Sequence, residues 1–182
     1  IQTMMLTRRI LDQSVQRKSD GLWGTKTFAF TDDLDINNRL FSGFADAEGW
    51  WQRSGRLEPN MNGPLARLRN TSNPETRPSV LRDLGQDWAV AKRCGFSLDR
   101  NDRARVTRTS SQDTGYDYDQ EVVVTTTSLE VGFNDPEVGA VIQHKAPRGV
   151  ASYLQRRGRA GRTRRMRPWM IIILSDFGRD RS

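Results

Sequence analysis

The sequence predicts an α/β fold: a mainly parallel central sheet flanked by helices. A short apolar run at residues 26–30 and Val- and Ile-rich runs at 121–125, 140–143 and 170–174 alternate with stretches of helical apolar spacing. That alternation is the pattern of parallel strands joined by crossover helices. The longest uninterrupted apolar run, Trp169-Met170-Ile171-Ile172-Ile173-Leu174, falls far short of the ~20 residues that cross a bilayer, so it reads as a buried strand. A chain of 182 residues is long enough to bury one core, either as a complete domain or as one lobe of a larger protein.

Each element has a local reason. Met4, Met5, Ile10, Leu11 and Val15 recur at roughly helical spacing before the turn signal Asp20-Gly21, which places a lead-in helix within residues 1–22. Lys26 to Phe30 reads as a strand. Thr31-Asp32-Asp33 then supplies capping side chains for a helix carrying Leu34, Ile36, Leu40, Phe41 and Phe44. Residues 47–80 are polar, with four prolines and the pair Trp50-Trp51, and are expected to be an insertion or mobile loop. Helical spacing returns through Leu81, Leu84, Trp88, Ala91 and Cys94, which places Cys94 in the core. A further strand is expected around residues 105–108. No internal repeat divides the chain, and residues 1–182 are read as one domain.

Charge narrows the function classes. The formal net charge is +7, yet the segment from His144 to Ser182 carries +9 and the first 143 residues carry −2. A clustered basic face suggests a polyanion such as nucleic acid or nucleotide phosphate. One cysteine excludes an internal disulfide framework, and one cysteine with one histidine leaves little material for a zinc site, so no metal is expected on this chain. The composition points to a cytoplasmic protein with no membrane partner.

In an open parallel sheet, functional loops lie beyond the carboxyl ends of the strands. Val122-Val123-Val124 leads into Thr125-Thr126-Thr127-Ser128, where hydroxyls and backbone N–H groups could hold a phosphate. The strand ending at Gln143 leads through Lys145-Ala146-Pro147-Arg148-Gly149 into a helix. That helix is expected to face Val150, Tyr153 and Leu154 inward and to bring Gln155, Arg159 and Arg162 to the same sheet edge. Two arginines three apart at a glycine-softened helix end form a fork suited to a triphosphate, able to stabilise charge on a transferring phosphoryl group.

Thr125 to Pro136 resembles motif V, and Gln155-Arg156-Arg157-Gly158-Arg159-Ala160-Gly161-Arg162 resembles motif VI, of superfamily 2 DEAD/DEAH-type helicases. Thr27 to Arg39 is similar to motif IV with its following helix. The wording of Arg108 to Asp113 and of Gln143 to Pro147 also resembles helicases of bacterial DNA-modification and phage-defence islands. The resemblance implies a C-terminal, second RecA-like lobe that closes on a first lobe around ATP and Mg²⁺ while nucleic acid, DNA more than RNA, crosses the other surface. By motif position it implies that Arg159 and Arg162 reach the γ-phosphate and that Gln155 positions it or the attacking water. It also implies that Gly132 and Asn134 lie near the nucleotide, and that Thr126, Thr31 and Asp32 contact the nucleic-acid strand. Asn134 departs from the family, which has an acidic residue there.

The first lobe's signatures are absent from this sequence: Gly24-Thr25-Lys26-Thr27 has the wrong order for a phosphate loop. The resemblance thus implies that the N-terminal lobe holds Mg²⁺ and that this chain alone is inactive as an ATPase. Blander readings stand beside these. Arginine runs can be simple polyanion-binding faces, Thr31-Asp32 a helix cap, Gly132 a turn glycine, and Gln155 an exposed helix residue. The alternative function is a non-catalytic nucleic-acid-binding or protein-interaction module on the same fold.

Overall fold

The computed structural model describes residues 1–13, 15–69, 91, 94–96, 102–110, 119–130, 133–176 and 180. Among them the chain order is α1 (Gln2–Ile10), β1 (Lys26–Phe30), α2 (Leu34–Ala47), β2 (Trp50–Arg53), β3 (Arg56–Pro59) and α3 (Pro64–Arg69). There follow β4 (Val106–Thr109), β5 (Val122–Thr125), a 3-10 turn at Thr127–Leu129, β6 (Val138–His144), α4 (Val150–Arg157) and β7 (Trp169–Ile173). Five strands form one sheet in the order β4-β5-β1-β6-β7, and every pairing is parallel. This is the α/β architecture with a parallel central sheet expected of a RecA-like lobe.

The central strands are apolar on both faces because both faces are covered. Ala29, Val122, Val124 and Ile142 pack with Met4, Met5, Phe41 and Phe44 of α1 and α2. Phe28, Phe30, Val123 and Val141 point the other way, with Leu129, Phe133 and Ala160 packed against them. A period of two along each strand divides these sets. Near the amino ends of β1 and β6 the backbones meet closely: a Cβ on Gly139 would sit 1.7 Å from the Trp23 carbonyl oxygen, so only glycine fits there.

Several expectations change in detail. α1 stops at Ile10 because Leu11 is extended, and Val15 is exposed rather than apolar core. β7 is not a buried strand: it lies at the sheet edge, and Trp169, Ile172 and Leu174 are exposed. Ala91 is helical and buried, but Cys94 sits in an exposed turn just before Gly95, which has φ +82°. The helix read from Leu81 lies otherwise outside the described residues. Within 47–80, β2 and β3 pair as an antiparallel hairpin. Trp50 donates from Nε1 to the Ala104 carbonyl at 2.8 Å, while Trp51 is exposed. No described helix is long and apolar enough to cross a membrane.

Buried charge fastens the lead-in helix to the sheet. Arg9 donates to both Glu48 carboxylate oxygens at 2.9 and 3.1 Å, and Arg8 pairs with Glu121 at 2.9 Å. Glu48 also accepts from Ala104 N, and Glu121 from Arg105 N. The Arg9 and Glu48 side chains are essentially inaccessible, so removing Glu48 leaves Arg9 buried with the longer 3.4 Å carboxylate contact to Asp102. Glu48→Ala is expected to cost roughly 3–5 kcal/mol, seen in a thermal melt as a drop of about 10 °C. An unchanged melting temperature would show that the pair does not hold α1.

Candidate functional site

The chain leaves β1 toward β4 on one side and leaves β6 toward β7 on the other, so the carboxyl ends of the adjacent strands β1 and β6 flank two diverging connections, the position where open α/β sheets bind ligands. Thr31 N donates to the Thr125 carbonyl at 2.8 Å, which brings Thr31 and Asp32 beside Thr126. Thr31 is fully buried and its hydroxyl faces the Asp33 carbonyl at 3.2 Å. Asp33 caps α2, accepting from Asp35 N and Ile36 N. Thr126 is half-buried. Of the three residues read as nucleic-acid contacts, Thr126 and Asp32 are half-buried and Thr31 is buried, and the Asp32 carboxylate itself is turned into the structure at 8% exposure.

α4 does not place its arginines at this edge. It begins at Gly149, beyond the end of β6, and runs back against the strand direction. Its C-terminal turn meets the opposite edge: Gly161 N donates to the carbonyl of Val138, the first residue of β6, and Thr163 Oγ1 donates to the Pro136 carbonyl. The expectation of one shared edge is therefore corrected; a helix returning from a carboxyl end must deliver its own C-terminus to the amino end. The inward face is corrected as well. Val150 is 74% and Leu154 53% exposed, whereas Arg156 is 1% exposed.

At this second place Arg159 and Arg162 converge on the loop that precedes β6. Arg159 donates through its two terminal nitrogens to the Phe133 and Glu130 carbonyls, and its Nε is buried without a partner. Arg162 is exposed and donates from Nη1 to Asn134 Oδ1 at 2.8 Å. Gln155 is exposed on α4 and joins neither group. Gly132 lies outside the described residues. Burial, and secondly the neighbouring Arg162, push the Arg159 guanidinium down from its ordinary value, with Glu130 pulling the other way. Two cations held together in this way favour an anionic ligand. The loop itself is pinned by the buried pair Lys26–Asp135 at 2.7 Å, where Asp135 also accepts from Glu137 N.

Sequence reasoning missed Arg156. Its guanidinium lies 2.7 Å from Asp32 Oδ1, a close ionic contact rather than an aligned hydrogen bond. It donates from Nε to Glu130 Oε1 at 2.6 Å and from Nη1 to Gln143 Oε1, and it lies over the Phe30 ring at 5.3 Å from the centroid. Ser152, one turn earlier on α4, donates to the same Glu130 oxygen. The available signal was the (i, i+4) pair Ser152 and Arg156 on one helix face, with Gln143 ending an otherwise apolar strand.

Residues 90–164 match the helicase conserved C-terminal domain. The matched segment covers fewer than half of the 182 residues. It takes in Thr126, Asn134, Gln155, Arg156, Arg159 and Arg162, and it leaves β1 with Thr31 and Asp32 outside. Among solved structures, the chain is similar to helicase Lhr of Mycobacterium smegmatis, bound there to ssDNA and AMP-PNP, at 19% identity and a TM-score of 0.42. The alignment covers 85% of this chain and 15% of that one, so the chain spans a small part of that helicase. No curated protein sequence matches the chain. The narrower likeness to phage-defence helicases finds no counterpart in these matches.

The turn between the two arginines depends on Gly161, whose φ is +74° and whose added Cβ would sit 2.4 Å from Pro168 Cγ. Gly161→Ala is expected to cost about 1–3 kcal/mol in urea unfolding. Gly158→Ala, at φ −67°, should cost clearly less. Equal effects would show that the turn tolerates a side chain at Gly161.

Proposed function

We propose that the chain is the second RecA-like lobe of an ATP-dependent superfamily 2 helicase or translocase, acting on DNA in preference to RNA. The observation that carries this reading is the convergence of Arg159 and Arg162 on the Glu130–Asn134 loop, inside the segment that matches the helicase C-terminal domain. The residues fit a nucleotide phosphate: an exposed guanidinium, a second one with an unpartnered buried Nε, and mutual repulsion that an anion would relieve.

In this reading Arg162 and Arg159 meet the γ-phosphate, Gln155 assists from the exposed side of α4, and Gly132 and Asn134 lie along the nucleotide. Thr126, with the turn at Thr31 and Asp32, faces the nucleic-acid backbone from the other sheet edge. ATP, when bound, supplies the free energy that alternately closes and opens the two lobes. Mg²⁺ belongs to the N-terminal lobe of the same protein, which is the chain's first partner, and the isolated lobe is inactive as an ATPase. A cytoplasmic location belongs to the same reading.

One observation favours the non-catalytic alternative. Arg159 already spends both terminal nitrogens on backbone carbonyls, as a purely structural residue would. The deciding experiment is nucleic-acid-stimulated ATP hydrolysis by the intact protein, with single-stranded DNA and RNA tested separately. Arg162→Ala is expected to lower kcat by about 10³-fold, while DNA affinity and its salt dependence stay unchanged. Retained binding with no hydrolysis in the wild type would instead establish the binding module.

A further inference from the structure

One side chain contacts both the Thr31–Asp32 turn and Glu130, whose carbonyl accepts from Arg159. We infer that Arg156 is a positioning residue that couples the nucleic-acid-facing turn at Thr31–Asp32 to the phosphate-facing arginines by holding Asp32 and Glu130 on a single buried guanidinium. This rests on the reading proposed above.

The connection is continuous in the structure. On one side, Arg156 Nη1 lies 2.7 Å from Asp32 Oδ1, and the preceding residue, Thr31, is hydrogen-bonded through its N–H to Thr125, next to Thr126. On the other side, Arg156 Nε donates to Glu130 Oε1 at 2.6 Å, and the main-chain carbonyl of Glu130 accepts from Arg159. A movement of Asp32 when a strand occupies the carboxyl edge must therefore be taken up by Arg156, by Glu130, or by both. Burial makes the response discrete. A guanidinium that is 1% exposed cannot exchange a lost carboxylate for water, so Arg156 must follow its partners or leave a charge unmatched. Arg148, 3.8 Å from Asp32 Oδ2 and largely exposed, offers Asp32 a second cation at the surface and so a second place to go. The fork geometry is essential, because a lysine at 156 would bring one point charge and could not grip two carboxylates and the Gln143 amide together.

The test uses the intact protein and reads the ratio of DNA-stimulated to basal ATP turnover, with single-stranded DNA as the probe, beside a thermal melt. In Arg156→Lys the ratio is expected to fall about tenfold, within the usual range of coupling between sites. Asp32→Asn should lower it comparably, and the double variant should fall no further than the worse single one. A purely structural role predicts basal and stimulated turnover falling together, which leaves the ratio unchanged and overturns the inference. If Arg156→Lys does not fold, Asp32→Asn and Glu130→Gln each remove one arm of the fork. A lowered ratio in both supports the coupling, and an unchanged ratio in either overturns it. A wild type without DNA stimulation would overturn the functional reading and this inference together, whereas a stimulated wild type with an unaltered variant ratio overturns the inference alone.

Discussion

A guanidinium removed from water needs anions and acceptors around it, and the ones Arg156 finds come from three different strands or the turns beyond them. Asp32 follows β1, Glu130 lies beyond β5, and Gln143 sits near the end of β6. The parallel sheet brings these together because all three strands point the same way and are adjacent. Stranding any member would cost several kcal/mol, which is a large part of a domain's net stability. The positions of the 3-10 turn, the start of α2 and the register of α4 against the sheet are therefore tied to one side chain. Phe30 and Leu129 keep the surroundings apolar, which raises the cost of any mismatch.

Strand direction sets the second constraint. A helix that begins beyond a strand's carboxyl end and packs back on the sheet finishes at the amino end, so motif VI cannot share an edge with Thr126. The chain between β5 and β6 makes the same journey, from Thr126 at one edge to Asn134 at the other. The Thr126 turn and the Gly161–Arg162 turn are thereby held at opposite ends of the sheet while remaining on one continuous pair of segments. A lobe built this way can present different surfaces to different ligands without long loops.

Much of the sheet was legible in the sequence, because buried parallel strands are nearly uniform apolar runs: β1 matches the expected residues, and β5 and β6 lie where Val and Ile cluster. Where the reasoning failed, a one-dimensional signal stood in for a three-dimensional one. Trp169 to Leu174 is as apolar as a central strand, but apolarity does not distinguish the middle of a sheet from its edge. The α4 face was misread because Val150 and Leu154 satisfy the helical apolar period, whereas burial went to Arg156, whose partners are distant in sequence. A buried arginine is among the least expected outcomes from composition, and only the positions of Asp32 and Glu130 make it favourable. The pairing of Arg162 with Asn134 was equally hidden, although both residues had been singled out separately.

That last pair explains what the departure at Asn134 does physically. A carboxylate in its place, 2.8 Å from Arg162, would form a charge-assisted bond and neutralise most of the local field. An amide oxygen orients the guanidinium through one nitrogen and leaves the cation uncompensated. Asp135, beside Asn134, is held by Lys26, and Glu130 has its carboxylate committed to Arg156 and Ser152 and offers Arg159 only its carbonyl. Both acids that could have quenched these two arginines are thus held by other cations. The same buried guanidinium that orders three strand ends also helps to keep the Arg159–Arg162 pair net positive, a charge that favours an anion beside it.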